Sequence, residues 1–149
     1  MDAIRNGKNL GMELTNGVPG VNGPDPRSYE EFWPYYVSQH LHPATRAIHV
    51  GGTTAALAVG AAGVATVTPL LLAAVPVVGY GAAWTSHFLI EKNKPASFGH
   101  LFWSFRADLR QVRKFFTGRL EADVQEVRKA LHMRPEQRTL ADAPRLRAA

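Results

Sequence analysis

Between Arg46 and Glu91 the chain carries no Asp, Glu, Lys or Arg, an uncharged run of 44 residues from position 47 to position 90. As a continuous helix that run would measure roughly 66 Å, about twice the ~30 Å hydrocarbon core of a bilayer. One crossing leaves half of it without an apolar surrounding, whereas two crossings joined by a turn use it fully. The interruption lies at Thr66-Val67-Thr68-Pro69, where two hydroxyls and a proline break the apolar pattern. The spans predicted from this are about 48–67 and 70–90. Small residues recur at packing intervals in Gly51/Ala55, Ala56/Gly60 and Gly79/Ala83, a spacing that lets helix backbones approach closely in lipid. Pro76 falls inside the second span, where a membrane helix tolerates it with a kink. The competing reading is a hairpin buried in a soluble bundle, but 149 residues leave little polar sequence to cover two such helices.

The flanks are as charged as the middle is bare, so the mean hydropathy of -0.14 averages two unlike regions. The turn carries no charge, whereas Arg46, Lys92, Lys94, Arg106, Arg110, Arg113 and Lys114 all lie outside the spans. An excess of Lys and Arg marks the cytoplasmic side, which predicts both termini in the cytoplasm. The membrane would be the inner membrane of a bacterium or the endoplasmic reticulum of a eukaryote. Nothing in Met1–Arg27 resembles a signal peptide; its Gly, Asn and Pro content reads as a flexible arm. Residues 28–132 form the predicted helical membrane domain, and 133–149 read as a charged, disordered tail. With no cysteine, neither a disulfide framework nor a thiolate metal site is available.

Two helices flank the hairpin. Ser28-Tyr29-Glu30-Glu31 has the spacing of a capping box and opens a short aromatic helix through Phe32, Trp33, Tyr35 and Tyr36, with Pro34 in its first turns. Trp and Tyr at this density suit either an interfacial belt or an ordinary core. Beyond the hairpin, Phe105, Leu109, Val112 and Phe116, then Leu120, Val124, Val127 and Leu131, repeat at helical spacing opposite Arg106, Arg110, Arg113 and Lys114. This predicts a basic amphipathic helix on the membrane surface or against the hairpin mouth, with Gly118 as a break point. The class is therefore an all-α integral membrane protein. A net charge of +5 raises nucleic acid as a partner, but no recognition motif accompanies the basic residues, which cluster beside a span.

Of the six histidines, three can be placed together. With the apex at Thr68, His49 lies 19 residues before it and His87 lies 19 after, which puts both at one depth in an antiparallel pair. His40 is nine residues before His49, across Pro43, so its segment can fold back over the same mouth. Glu91 follows His87 by four positions, one helical turn. Three imidazoles and a carboxylate at one depth fit a divalent-metal site. His42 is a possible substitute for His40, and His100 and His132 read as surface residues.

The residues around these positions resemble a known family. Phe32-Trp33-Pro34-Tyr35-Tyr36, His40-Leu41-His42-Pro43, Arg46-Ala47-Ile48-His49, Ser86-His87-Phe88, Glu91-Lys92-Asn93-Lys94-Pro95-Ala96 and Trp103-Ser104 are similar to the Mpo-like membrane proteins over about residues 28–116. The resemblance implies a 2-hydroxy fatty acid dioxygenase that uses Fe(II) and O2 to shorten its substrate by one carbon as CO2. It implies iron ligands at His40, His49 and His87, and matches Glu91 to a carboxylate of the family's second pattern. Thr45 and Ser86 depart from the Asn and Gly of fungal members, and Glu91–Pro95 suggests a bacterial-type branch.

On this reading a 2-hydroxy acid chelates the iron while its acyl chain lies along the apolar hairpin. Arg46, Lys92 and Lys94 are candidates for pairing with its carboxylate, or simple positive-inside anchors. Glu91 is a candidate fourth ligand, imidazole partner or catalytic base. Two alternatives stay open: a non-catalytic hairpin scaffold or lipid-interacting adaptor, and a metal carrier or sensor with the same ligands.

Overall fold

The computed structural model describes residues 18–21 and 23–132; the N-terminal arm up to residue 17 and the tail from residue 133 lie outside the described residues. Every regular element among the described residues is helical. In chain order these are α1 (Tyr29–Ser38), α2 (Pro43–Ala65), α3 (Pro69–Ser86), a single π turn (His87–Glu91), a short 3₁₀ turn (Ala96–Phe98), α4 (Leu101–Phe116) and α5 (Leu120–His132). They fall into two compact units, residues 39–119 and the pairing of α1 with α5.

The first unit is built on the α2–α3 hairpin. Both halves are long and apolar enough to cross a membrane, over Pro43–Ala65 and Pro69–Glu91. The chain turns between them where two threonines and a proline stand. The Thr66 hydroxyl donates to the Ala62 carbonyl at 2.7 Å and meets the Thr68 hydroxyl at 2.8 Å. The Thr68 amide closes the helix end on the Gly63 carbonyl at 2.9 Å, and Pro69 starts α3, where a missing N–H costs nothing. The residue bent at this corner is Val67, with φ +51°. A β-branched side chain is strained in that left-handed region.

Close approach of the two helices depends on small residues along one stripe. A Cβ placed on Gly63 would stand 2.8 Å from a Leu72 methyl, and one on Gly52 would stand 3.1 Å from Ala82 Cβ. Ala56/Gly60 and Gly79/Ala83 belong to this stripe: a Cβ on Gly79 would meet Ala56 at 3.5 Å, and one on Gly60 would meet Val75 at 3.4 Å. The predicted pair Gly51/Ala55 does not. Both are exposed, and a Cβ on Gly51 would meet nothing within 4 Å. One residue is 100° around a helix, enough to move the contact stripe to Gly52. The outward faces are apolar, with Val64, Leu70 and Val77 at 70, 77 and 71 % exposure.

Past the π turn the chain is pinned back onto α3. Trp84 donates from its indole to the Ser97 hydroxyl at 3.2 Å, and Phe98 packs edge-on against Trp84. Helix α4 then packs on α2, where Asp108 bonds His49 and Gln111 bonds the Arg46 carbonyl, with Ser104 and Ala107 buried on the same helix. It ends at Gly118, whose φ of +67° suits glycine, and the Arg119 amide caps the Lys114 carbonyl.

In the second unit, Ser28 accepts from the Glu31 amide at 3.2 Å, and the Glu31 carboxylate reaches back to the Arg27 amide at 2.7 Å, one residue earlier than a standard capping box. Tyr29, Phe32, Trp33, Tyr36 and Val37 of α1 are buried, as are Leu120, Val124, Val127 and Ala130 of α5. The Trp33 indole donates to the Asp123 carboxylate at 2.8 Å and its ring stacks on Tyr36. These aromatics form the core of this unit.

Relief of the bend at residue 67 is measurable. Replacing Val67 with Gly removes the left-handed penalty against a smaller entropic cost, a net stabilisation of ~1 kcal/mol. The thermal midpoint of the detergent-solubilised protein is expected to rise, and an unchanged or lower midpoint would show that the turn is not strained.

Candidate metal centre

The site is assembled where the two long helices meet the segment before α2. His40 lies in the extended stretch ahead of α2, His49 in the second turn of α2, and His87 at the junction of α3 with the π turn. All three are buried. Their ring centroids stand 4.2 Å (His40–His49), 4.6 Å (His40–His87) and 5.1 Å (His49–His87) apart, each pair edge to face. One nitrogen from each ring lies within 4.8 Å of the others, the arrangement of a group that could hold a metal ion.

The outer nitrogens reveal how the inner ones are set. Asn93 donates from its side-chain amide nitrogen to the Gln39 carbonyl at 3.1 Å, so its oxygen is the atom facing His87 Nδ1 at 2.8 Å. An amide oxygen only accepts; His87 Nδ1 therefore carries the proton and its Nε2 keeps a lone pair. Asp108 does the same for His49, its carboxylate oxygen 3.0 Å from Nδ1. A carboxylate or amide behind a metal-binding imidazole fixes both its tautomer and its orientation. The Nε2 atoms of His40 and His49 face each other at 3.2 Å. Two nitrogens each about 2.1 Å from one metal, at tetrahedral or octahedral angles, are roughly 3.0–3.4 Å apart. The donor set therefore fits a divalent cation that takes imidazole.

The backbone makes this possible in two places. Helix α3 widens into a π turn at His87–Glu91, a feature common at functional sites, and Lys92 leaves it in the left-handed conformation with φ +55°. The reversal lets the Asn93 amide bond the His87 carbonyl at 3.2 Å and turns the Asn93 side chain back onto the His87 ring. Ahead of α2, Arg46 donates from Nη1 to the His40 and Leu41 carbonyls at 3.1 and 2.7 Å, and Gln111 of α4 donates to the Arg46 carbonyl at 3.2 Å. These bonds hold the His40 segment against α2.

The other sequence candidates have different places. Glu91 Oε1 accepts from the His42 backbone amide at 2.7 Å, bracing the loop next to His40. The π turn breaks the α-helical spacing that set Glu91 on the face of His87, and the carboxylate is directed to the loop. His42 is exposed and is the N-cap of α2, its Nδ1 accepting from the Ala44 amide at 3.1 Å. The Arg46 guanidinium is buried on the loop carbonyls, while Lys92 and Lys94 are exposed. His100 stacks on Trp103, and His132 is exposed at the end of α5.

Asn93 and Asp108 are the site residues that sequence reasoning missed. Asp108 had one visible signal: it is the single carboxylate in α4, among four basic residues.

Fold and site together define a helical-hairpin protein whose mouth holds a buried three-histidine cluster competent for metal. Residues 26–120 match the family described as 2-hydroxy-palmitic acid dioxygenase Mpo1-like, and the chain belongs to this Mpo1-like family. No curated protein and no solved structure matches it.

Two substitutions separate these roles. Asp108→Asn is expected to weaken binding of Co(II), used as a spectroscopic probe in a chelator competition, by about 10–100-fold without changing helix content. Glu91→Gln keeps an acceptor for the His42 amide and should leave Co(II) affinity and thermal midpoint near wild type, whereas Glu91→Ala should lower both. A large affinity loss in Glu91→Gln would return the carboxylate to the ligand set.

Proposed function

We propose that the chain is a membrane-spanning, Fe(II)-dependent dioxygenase that converts a 2-hydroxy fatty acid and O2 into the acid one carbon shorter, CO2 and water. The observation that carries this is the buried His40–His49–His87 cluster with two of its outer nitrogens pinned by Asp108 and Asn93, read with the description of the family. The stoichiometry closes without a reductant, since the substrate loses four electrons and O2 accepts four. Iron, when bound, supplies the one-electron chemistry that lets O2 react with a closed-shell hydroxy acid.

The chain's own residues do the rest. Three neutral imidazoles leave coordination positions open to substrate and O2. Asn93 and Asp108 keep each Nδ1 protonated, so neither ring can turn or change tautomer. Burial of all three rings limits water around the reacting atoms. Lys92 and Lys94, exposed beside the mouth, attract the substrate carboxylate from the interface. The acyl chain lies along the apolar outer faces of α2 and α3.

The membrane reading has its own support. A soluble bundle would have to cover Val64, Leu70 and Val77, and among the described residues nothing does. Each span is 23 residues, about 34 Å of helix, which matches the hydrocarbon core. The uncharged turn and the basic residues at the opposite end favour both termini in the cytoplasm.

Iron content and turnover test the assignment together. Protein purified anaerobically in detergent and loaded with Fe(II) is expected to hold close to one iron and to consume O2 when given 2-hydroxypalmitic acid. The His40→Ala, His49→Ala and His87→Ala variants should insert in the membrane normally, lose the iron and consume no O2. Wild type that binds no metal after loading would point to a hairpin scaffold, and iron binding without O2 uptake across hydroxy acids would point to a carrier or sensor.

A further inference from the structure

Helix α4 has three faces where its sequence pattern suggested two. At 100° per residue, Ser104, Ala107 and Gln111 share one sector, and all three are buried, with Asp108 at its edge on His49. Leu101, Phe102, Phe105, Leu109 and Phe116 occupy a second sector, and none is buried; Phe102 is 86 % and Phe116 70 % exposed. Arg106, Arg110, Arg113 and Lys114 fill the third. The large side chains of the second sector thus stand at the surface, while small and polar side chains make the buried sector.

The apolar sector is not isolated. Phe98, itself exposed just before α4, has its ring 5.4 Å from Trp84 and 6.5 Å from Phe88. An apolar surface therefore runs from Trp84 and Phe88 to Phe98, three residues before the exposed Leu101 that opens α4. Beside it, on the third sector, stand four cations, Arg106, Arg110, Arg113 and Lys114. An apolar face continuous with a hydrophobic span, edged by a row of Arg and Lys, matches a bilayer interface with anionic headgroups.

We infer that α4 is a lipid-interface helix: its Phe/Leu face seats in the acyl region of an anionic leaflet, and its Arg/Lys face binds the headgroup phosphates. Because the buried face of the same helix carries Asp108 and Gln111, lipid that seats α4 also holds the carboxylate against His49 and the Arg46 segment in place. Anionic lipid is therefore a structural ligand of the metal centre. The inference rests on the membrane reading of α2 and α3 but not on iron chemistry.

The chain has no cysteine, so single nitroxide labels can be placed on the full-length protein at Val77→Cys, Phe105→Cys, Leu109→Cys and Arg113→Cys. The labelled proteins are reconstituted in nanodiscs of phosphatidylcholine alone or with added phosphatidylglycerol. Collisions with O2, which partitions into lipid, and with a neutral aqueous nickel chelate are then compared. Labels at 105 and 109 should favour O2 several-fold more than the label at 113, as the label at 77 does. Phosphatidylglycerol should increase that preference and tighten Co(II) binding, and both effects should vanish when Arg106, Arg110, Arg113 and Lys114 are all changed to Gln. The inference is overturned if 105 and 109 meet the chelate freely while 77 does not, or if both reagents are excluded there, as a protein partner or a second copy would cause. Indifference to phosphatidylglycerol overturns it as well. A label at 77 that meets the chelate would instead sink the membrane reading itself.

Discussion

The contact on which the site depends is the glycine-mediated approach of α2 and α3. The pairs 52/82, 56/79, 60/75 and 63/72 lie opposite one another along the hairpin, a ladder that steps by one turn on each helix. Continued toward the mouth, the same ladder sets His49 beside His87. Side chains at Gly52 or Gly63 would collide with Ala82 or Leu72 and force the helices apart. A ring-to-ring distance of 5.1 Å between His49 and His87 survives little of that. Packing in the apolar middle of the hairpin thus positions chemistry near its end.

His40 has no long helix to position it, and hydrogen bonds take over that task. Residues 39–42 are tied by Asn93 at the Gln39 carbonyl, by Arg46 at the His40 and Leu41 carbonyls, and by Glu91 at the His42 amide. Three side chains from two different segments converge on the four residues that link α1 to α2. Asn93 has a double role, since its oxygen fixes the His87 ring while its nitrogen holds the chain next to His40. The Arg46–His40 bond is buried, which strengthens it and raises the cost of losing it.

Much of this was legible in the sequence because it followed from counting. The uncharged run, its interruption at Thr66–Pro69, and the equal distances of His49 and His87 from Thr68 lead to a hairpin with two histidines at one depth. What escaped were features where local geometry departs from ideal helices. Glu91 follows His87 by one α-helical turn, but a π turn intervenes and the carboxylate goes to the His42 amide. Asn93 reaches His87 only because Lys92 adopts a left-handed conformation, which its side-chain type does not announce. Asp108 sits on a face of α4 that is neither apolar nor basic, and hydrophobic periodicity reports only the contrast between those two. The aromatic residues of α1 could have been belt or core, and burial against their own unit with a Trp33–Asp123 bond makes them core.

The charge balance of the site bears on what it can accept on the proposed reading. The Nδ1 atoms of His49 and His87 are each held by a partner, Asp108 and Asn93, and Asn93 adds no charge. Among the described residues, Asp108 places its carboxylate on the His49 ring, and Glu91 lies on the loop amide next to His40. On the proposed reading, a divalent cation held by the three rings is offset in part by the Asp108 carboxylate behind His49. In a buried site an uncompensated charge is costly, and one anionic ligand removes it. A monoanion that can chelate, as a 2-hydroxy acid does through carboxylate and hydroxyl, is better matched than a neutral alcohol or a dianion. On the proposed reading an acid head group answers the charge of the cation, and the exposed Lys92 and Lys94 at the mouth govern how often such an anion arrives.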